Sequence, residues 1–536
     1  MMQTQQFEMV AKTFQGLEEV LAEELRSLGA LNVEPGLRMV SFEGDKAMLY
    51  RANMCCRTAL RILKPIYKFI ARNPDELYEL IKAYDWSRVL SLDKTFSIDT
   101  VANSEEFNHS RYATYRVKDG IVDYFRDKIG PESRPRVRLQ DADVRINVHI
   151  QGERVTVSLD SSGESLHKRG YRVAQTEAPI NEVLAAGIIL KSGWRGDCPF
   201  VDPMCGSGTF VIEAAMIAAG IWPGVYRRRF AFETWADFDP ELFDAIYNDE
   251  SNERTVTQPI IGCDMSPRAI AIAQENVKSA GVGKWVHLEV KPLSQWTEAP
   301  ADGILVTNPP YGERISSPDM EGLYALIGTK LKQVFTGYHA WIIGYREEYF
   351  QKIGLAPSTK EPIYNGALEC ELREYVIFEG DYRSFRREGG HLKTEREKRR
   401  EKEPRRYKGD REWREDARKA GFGGKKLDRK RAGDSRSGEF KRGNDFHRSE
   451  KSHGTLSRGE ERYRPQKGRF AHRFNDEPDR APASENPLAV RRNEMALKSI
   501  TGRQPSLSED KNAPIFRPRR GWKRPGSNNE TENNNQ

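Results

Sequence analysis

Cysteine is scarce in this chain. Six occur among 536 residues (Cys55, Cys56, Cys198, Cys205, Cys263 and Cys370), no two are spaced Cys-x-x-Cys, and none has a histidine at metal-ligand spacing. That pattern argues against zinc, so no metal is expected. No apolar run reaches membrane length, and Met-Met-Gln-Thr-Gln-Gln lacks the basic-then-apolar pattern of a signal peptide. No membrane is expected, and the cytoplasm is the natural compartment. A Gly-x-x-x-x-Gly-Lys-Ser/Thr phosphate loop is also missing, and the dinucleotide pattern fails because Val211 stands where a small residue is required. ATP and NAD are therefore disfavoured.

Apolar residues are sparse after about residue 385. From Arg386 onward 42 Lys+Arg stand against 25 Asp+Glu, whereas the residues before it carry 44 against 54. Runs such as Arg396 to Arg400, Arg405-Arg406-Tyr407-Lys408 and Arg517 to Arg524 mix basic residues with Gly, Pro and occasional aromatics. They cannot bury enough surface to offset ordering entropy, so residues 385–536 are expected to form a disordered basic tail. Such arms contact phosphates without reading sequence, and Tyr407, Trp413 or Trp522 could stack on bases.

The preceding 380 or so residues can hold two or three domains with proper cores. Chemistry concentrates in Val306-Thr307-Asn308-Pro309-Pro310-Tyr311-Gly312, which follows the apolar run Gly303 to Val306. In open α/β sheets, ligands bind beyond the carboxyl ends of the strands. An amide oxygen from Asn308 and the Pro309 carbonyl can each accept one N–H of a planar, conjugated amine. That draws the nitrogen towards tetrahedral geometry and frees its lone pair for attack on an electrophile. Pro310 stiffens the turn, and Tyr311 would stack on the ring. A nucleotide entering such a site must be unpaired or flipped out.

Upstream, Phe200-Val201-Asp202-Pro203-Met204-Cys205-Gly206-Ser207-Gly208-Thr209 reads as strand, tight loop and helix start. Gly206 and Gly208 allow close ligand approach, and Ser207 or Thr209 can cap the helix that follows. Next come Ile260 to Asp264, then Ser266-Pro267 and a helix from Arg268 to Ala280 stopped by Gly281. Asp264 closes its strand beside the glycine loop, where a carboxylate can accept both ribose hydroxyls. Cys205, the one thiol in the loop, reads more simply as a buried small side chain than as a nucleophile.

With these residues in hand, the chain resembles the class I S-adenosylmethionine-dependent methyltransferases of the Asn-Pro-Pro-Tyr type. The resemblance implies a Rossmann-like α/β sheet. It also implies that Asp202, Pro203 and the Gly206-Ser207-Gly208-Thr209 loop hold the methionine part of S-adenosyl-L-methionine, and Asp264 its ribose. Asn308, Pro309, Pro310 and Tyr311 would then form the amine site. Val290-Lys291-Pro292-Leu293 departs from the acid or amide usual after the third strand, so the adenine contact stays unassigned.

Ahead of this unit, Ser97 to Val101 reads as a strand and Arg116 to Phe125 as a helix. Asp143 to Ile150 and Val155 to Leu159 alternate about the turn Gln151-Gly152-Glu153. This region resembles a THUMP domain, found in RNA-modifying enzymes. A strand Phe7 to Phe14 and a helix Gly16 to Leu28 precede it. The segments Leu166 to Tyr171 and Ala178 to Glu182 resemble those of bacterial guanine-N2 methyltransferases of 23S ribosomal RNA.

The expected organisation is an N-terminal ferredoxin-like α+β piece (1–65), a THUMP-like domain (66–162), the catalytic sheet (163–384) and the tail. The expected partner is RNA, either 23S ribosomal RNA or a ribosomal precursor. Adenine N6, transfer-RNA guanine N2, a release-factor-type glutamine amide, and a non-catalytic ribosome-assembly role stand as alternatives. Arg111, Arg116, Lys168, Arg169 and Arg172 are candidate phosphate contacts near the domain junction. Removing the residues after Arg386 should weaken RNA binding mainly at low salt and flatten its salt dependence. Equal affinity and slope in a filter-binding salt titration would make the tail a spectator.

Overall fold

The computed structural model describes residues 5–107, 109–310, 319–366 and 368–380. Tyr311 and the basic tail lie outside the described residues. The chain begins with β1 (Phe7–Lys12), α1 (Glu18–Ser27), β2 (Leu31–Gly36), β3 (Met39–Gly44), α2 (Lys46–Cys55) and β4 (Arg61–Ile70). It continues with α3 (Pro74–Ala83), β5 (Thr95–Asn103), α4 (Ser110–Ile129), β6 (Arg136–Val137), β7 (Val144–Gln151) and β8 (Arg154–Asp160). These eight strands form one sheet in the order β2-β3-β1-β4-β8-β7-β5-β6.

The local causes are visible in the residues. The alternation of β7 buries Val144, Ile146, Val148 and Ile150 on one face. Asn73 caps α3 by accepting from the amides of Asp75 and Glu76, with Pro74 following it. Helix α4 is longer than the helix expected from Arg116 to Phe125, gaining residues at both ends. The N-terminal piece and the THUMP-like region share β4, which pairs β1 near one end and β8 along most of its length. A division at residue 65 thus falls inside a strand. Pro65, which lacks an amide donor, coincides with a register shift there and hides the strand in the sequence.

The second sheet is built from β9 (Phe200–Asp202), β10 (Ile260–Asp264), β11 (Val286–Val290), β12 (Ile304–Thr307), β13 (His339–Gly344), β14 (Thr359–Asn365) and β15 (Leu368–Val376). Its order is β11-β10-β9-β12-β13-β15-β14; the first five strands in that order run parallel, and β15 is antiparallel to both of its neighbours. Helices α5 (Glu182–Lys191), α6 (Thr209–Ala218), α7 (Pro240–Tyr247), α8 (Pro267–Ser279), α9 (Met320–Val334) and α10 (Glu347–Lys352) accompany it. Ser266 caps α8 as its sequence demands, accepting from the Ala269 amide. Strand order reverses between β9 and β12, which puts a ligand crevice at their carboxyl ends. Asp202 and Asn308 both stand there.

Two cores flank this sheet. Phe210 to Ala219 and Val183 to Ile189 fill one face, and Tyr324, Ile327, Leu331 and Phe350 fill the other. Helix α5 also meets the first sheet, since Leu17 packs so closely on Gly187 that a Cβ there would lie 2.6 Å from it. Buried arginines complete the junction. Arg57 donates to the carbonyls of Ile221 at 2.7 Å and Met216 at 3.3 Å, and Arg227 donates to the carbonyls of Ser162, Glu164, Ser165 and Lys168. Arg169 pairs with Glu213 on α6, which also accepts from the Tyr171 hydroxyl at 3.0 Å.

Burial lowers the Arg57 guanidinium to about 10, so it stays charged at neutral pH, and Glu213 opposes that shift. Removing one member of such a buried set strands the others. Arg57→Ala should destabilise the protein by about 3–5 kcal/mol in urea unfolding. Lys168→Ala, which breaks only an exposed pair with Glu164, should cost no more than about 0.5 kcal/mol.

Candidate active site

Strand β9 delivers Asp202 to the reversal point, where it is almost fully buried. One carboxylate oxygen accepts from the Thr307 hydroxyl at 2.8 Å and from the Met204 amide at 3.2 Å. Thr307 ends β12, so this bond joins the two halves of the sheet directly behind Asn308. Burial, with a smaller push from the Asp264 carboxylate, raises the Asp202 carboxyl to about 7.

After β9 the chain turns through Gly206 (φ 54°) and Gly208 (φ 83°), both in the left-handed region that other residues avoid. Among the described residues a Cβ on Gly206 would have only the Thr176 hydroxyl near it, at 3.9 Å. One on Gly208 would press on Ala273 of α8 at 3.1 Å. The first glycine therefore leaves room for a ligand, and the second lets α6 start against α8.

Asp264, at the end of β10, uses one oxygen for the Gly206 amide at 3.0 Å and the other for the Ser266 amide at 2.9 Å. Each oxygen keeps a further lone pair, enough for two adjacent hydroxyls. Met265, beside it, is 74% exposed and offers an apolar surface at the same edge. Beyond β11, the Lys291 amide donates to the Asp264 carbonyl at 3.0 Å, so the segment without the expected acid closes onto the same corner.

Asn308 follows β12. Its side-chain oxygen is buried and has no hydrogen-bond partner among the described residues, and Pro309 is buried beside it. An unpaired buried acceptor costs about 1–3 kcal/mol, and the Asn308 oxygen can accept an N–H donor. Pro310 is half-buried. Burial, helped by the Asp202 and Asp264 carboxylates, holds the Cys205 thiol well above its ordinary range, which disfavours the reactive thiolate.

The basic candidates separate sharply. Arg111 is exposed on α4. Arg116 stacks on Tyr78 and pairs with Asp75 at 2.7 Å, while Lys168 pairs with Glu164 at 2.6 Å. Arg169 is a correction: it lies in the core on Glu213, out of reach of any phosphate. Arg172 is another. Its guanidinium is committed to Glu182 at 2.6 Å, Ser207 at 3.0 Å, Thr209 at 2.9 Å and the Ile180 carbonyl at 3.3 Å.

Thr307 and Asn276 escaped the sequence reading. Asn276 is buried in α8, accepts from the Val173 and Ala174 amides, and donates to the Ala174 and Ser207 carbonyls. An amide on the buried stripe of α8, among Ala269, Ile270, Ala273 and Val277, was the available signal. Among the described residues, no group of three His, Cys, Asp or Glu could hold a metal ion, and no helix is long and apolar enough to cross a membrane.

The sheet order, the open glycine turn and the acid closing β10 together define a class I S-adenosylmethionine-dependent methyltransferase. Comparison with known proteins takes this further. An RMKL-like methyltransferase domain matches residues 169–374, a THUMP domain 71–160, and the RlmL ferredoxin-like domain 8–63. The Synechocystis protein slr0064, whose name assigns it to RNA methyltransferases, is 37% identical over 69% of this chain and 96% of its own. A ribosomal RNA large subunit methyltransferase K/L from Syntrophotalea carbinolica is 40% identical over 68% of this chain and 53% of its own, so this chain spans about half of that relative. The solved structure of SMU.472, named a methyltransferase and complexed with S-adenosylhomocysteine (SAH), aligns with a TM-score of 0.63 at 32% identity, over 71% of this chain and all of that one. The chain belongs to this family of THUMP-domain, RMKL-like RNA methyltransferases, which use S-adenosylmethionine.

The buried Asp202 carboxyl carries its own test. Because its pKa is raised on folding, its contribution to stability is complete below about pH 4 and is lost as pH rises through about 7. Across that window the wild type should lose up to about 1.4 kcal/mol per pH unit relative to Asp202→Asn, in parallel urea titrations. A pH-independent difference between the two proteins would mean that Asp202 titrates as an ordinary acid.

Proposed function

We propose that this protein methylates the exocyclic N2 of a guanine in 23S ribosomal RNA. The observation that carries the reading is the buried Asn308 oxygen, without a partner among the described residues, at the carboxyl end of β12 next to the β9 loop. S-adenosylmethionine, when bound, supplies an electrophilic methyl on a sulfonium, which needs no metal to activate it. The residues present fit that group: the open turn at Gly206 leaves room, and Asp264 retains a lone pair on each oxygen for the ribose hydroxyls. Asp202, Pro203, Ser207 and Thr209 surround the position for its methionine end. Met265 offers the adenine an exposed apolar side chain.

At the amine, the Asn308 oxygen and the Pro309 carbonyl would accept the two N–H groups. This weakens conjugation of the nitrogen lone pair with the ring and points it along the line of attack. Tyr311 would stack on the base. Fixing nitrogen and methyl in line supplies most of the rate enhancement expected at such a site, several kcal/mol by proximity alone. The THUMP domain supports an RNA substrate over a protein amide. Large-subunit ribosomal RNA is favoured because the K/L relatives are named for it. That substrate in turn places the protein in the cytoplasm.

Adenine N6 presents the same two N–H groups and is the second reading. Nucleoside mass spectrometry of 23S, 16S and transfer RNA from a deletion strain and its parent separates the cases. Loss of N2-methylguanosine from 23S RNA alone is the expected result. Loss of N6-methyladenosine, or of a transfer-RNA methylation, would keep the chemistry and change the substrate. No change in any fraction would favour a non-catalytic assembly role. Asn308→Ala should leave cofactor affinity near normal and lower methyl transfer by about two orders of magnitude or more, as loss of a transition-state contact does. Unchanged turnover would remove Asn308 from the mechanism.

A further inference from the structure

Arg172 stands just after the buried Arg169 and Tyr171, in the segment that leads from the THUMP domain to α5. Its guanidinium reaches both hydroxyls of the glycine loop, Ser207 and Thr209, while Glu182 at 2.6 Å balances its charge. A guanidinium has donors only, so both hydroxyl oxygens must act as acceptors here. Each keeps one O–H to donate. Ser207 and Thr209 are nearly fully buried, and among the described residues neither hydroxyl proton has an acceptor.

Asn276 fixes the rest of the strap. By holding the Val173 and Ala174 amides and the Ser207 carbonyl together, it keeps Arg172 against the loop. Two buried O–H groups at the start of α6, each with its oxygen held by Arg172, suit an anionic acceptor. We propose that Arg172 is a positioning residue that turns the Ser207 and Thr209 hydroxyl protons outward to receive the α-carboxylate of the cofactor. The proposal rests on the reading of this loop as the methionine site. Arg172 itself does not touch the ligand; with Glu182 against it, its charge is not the attraction.

Calorimetry with the full chain tests this, using SAH and its decarboxylated analogue, which keeps the amine and the adenosine. The wild type should bind SAH at least about tenfold more tightly than the analogue, the scale of one lost charged hydrogen bond. Arg172→Gln should reduce SAH affinity to the analogue's level and leave analogue affinity within about twofold. Arg172→Lys should not rescue it, since a single nitrogen lacks the rigid fork by which Arg172 meets Glu182, Ser207 and Thr209 through three separate nitrogens. Ser207→Ala with Thr209→Val should give the same selective loss with Arg172 intact, and adding Arg172→Gln should cost nothing more. That pair also carries the test if Arg172→Gln fails to fold. Equal loss of SAH and analogue in Arg172→Gln, or full rescue by lysine, would overturn the proposal. Failure of the wild type to bind SAH at all would overturn the cofactor reading beneath it.

Discussion

The hydrogen bond from Thr307 to Asp202 crosses the one place in the catalytic sheet where the strands part company. On one side lie β9, β10 and β11 with their crossover helices, and on the other β12, β13 and the antiparallel pair. A crevice at such a point exists because successive crossovers leave in opposite directions, and it stays open only if something fixes the spacing of the two central strands below it. Here a buried carboxyl and a buried hydroxyl do so at 2.8 Å. Everything placed at this edge takes its position from that pair: the glycine turn follows Asp202, and Asn308 follows Thr307. Burial raises the Asp202 carboxyl because a carboxyl kept from water favours its neutral form, and the Asp264 carboxylate nearby adds to the effect.

Around this pair, polar groups that the sequence leaves scattered are gathered into shared contacts. Asp264 holds both the Gly206 and Ser266 amides, joining the loop after β9 to the cap of α8. Asn276 and Arg172 hold the same loop from the other side. The loop is therefore held at both ends before any ligand enters, which reduces the ordering that binding must bring about. The Asn308 oxygen, without a partner among the described residues, stands where a substrate donor would arrive.

Local chemistry was legible in the sequence, and tertiary partnership was not. The helix Pro267–Ser279 could be read because its Ser, Pro and Gly signals act within a few residues. The glycine turn could be read because the positive φ angles require glycine there. The strand pattern Asp143 to Leu159 was legible for the same reason, its period being local. By contrast, Arg169 and Arg172 look like any other basic residues in Lys168-Arg169-Gly170-Tyr171-Arg172. Only the fold brings Glu213 to one and two hydroxyls to the other, from 35 to 44 residues away. Strand β4 was masked by Pro65, and the role of Thr307 required a partner 105 residues distant.

The arginine contacts at the junction also bear on how such a protein can be cut or recombined. Three domain signatures divide the chain neatly, yet β4 runs from the end of the first across the gap before the second and pairs with a strand of each, and Arg57 from the first supplies donors to carbonyls of the third. A catalytic sheet separated from the residues before it would uncover the Met216 and Ile221 carbonyls and the α5 surface that Leu17 covers. It would also leave Glu213 without the nearby charge of Arg57. The boundaries of resemblance are thus not boundaries of autonomy. The smallest unit that evolution or an engineer could transplant intact is the pair of sheets together with the arginines between them.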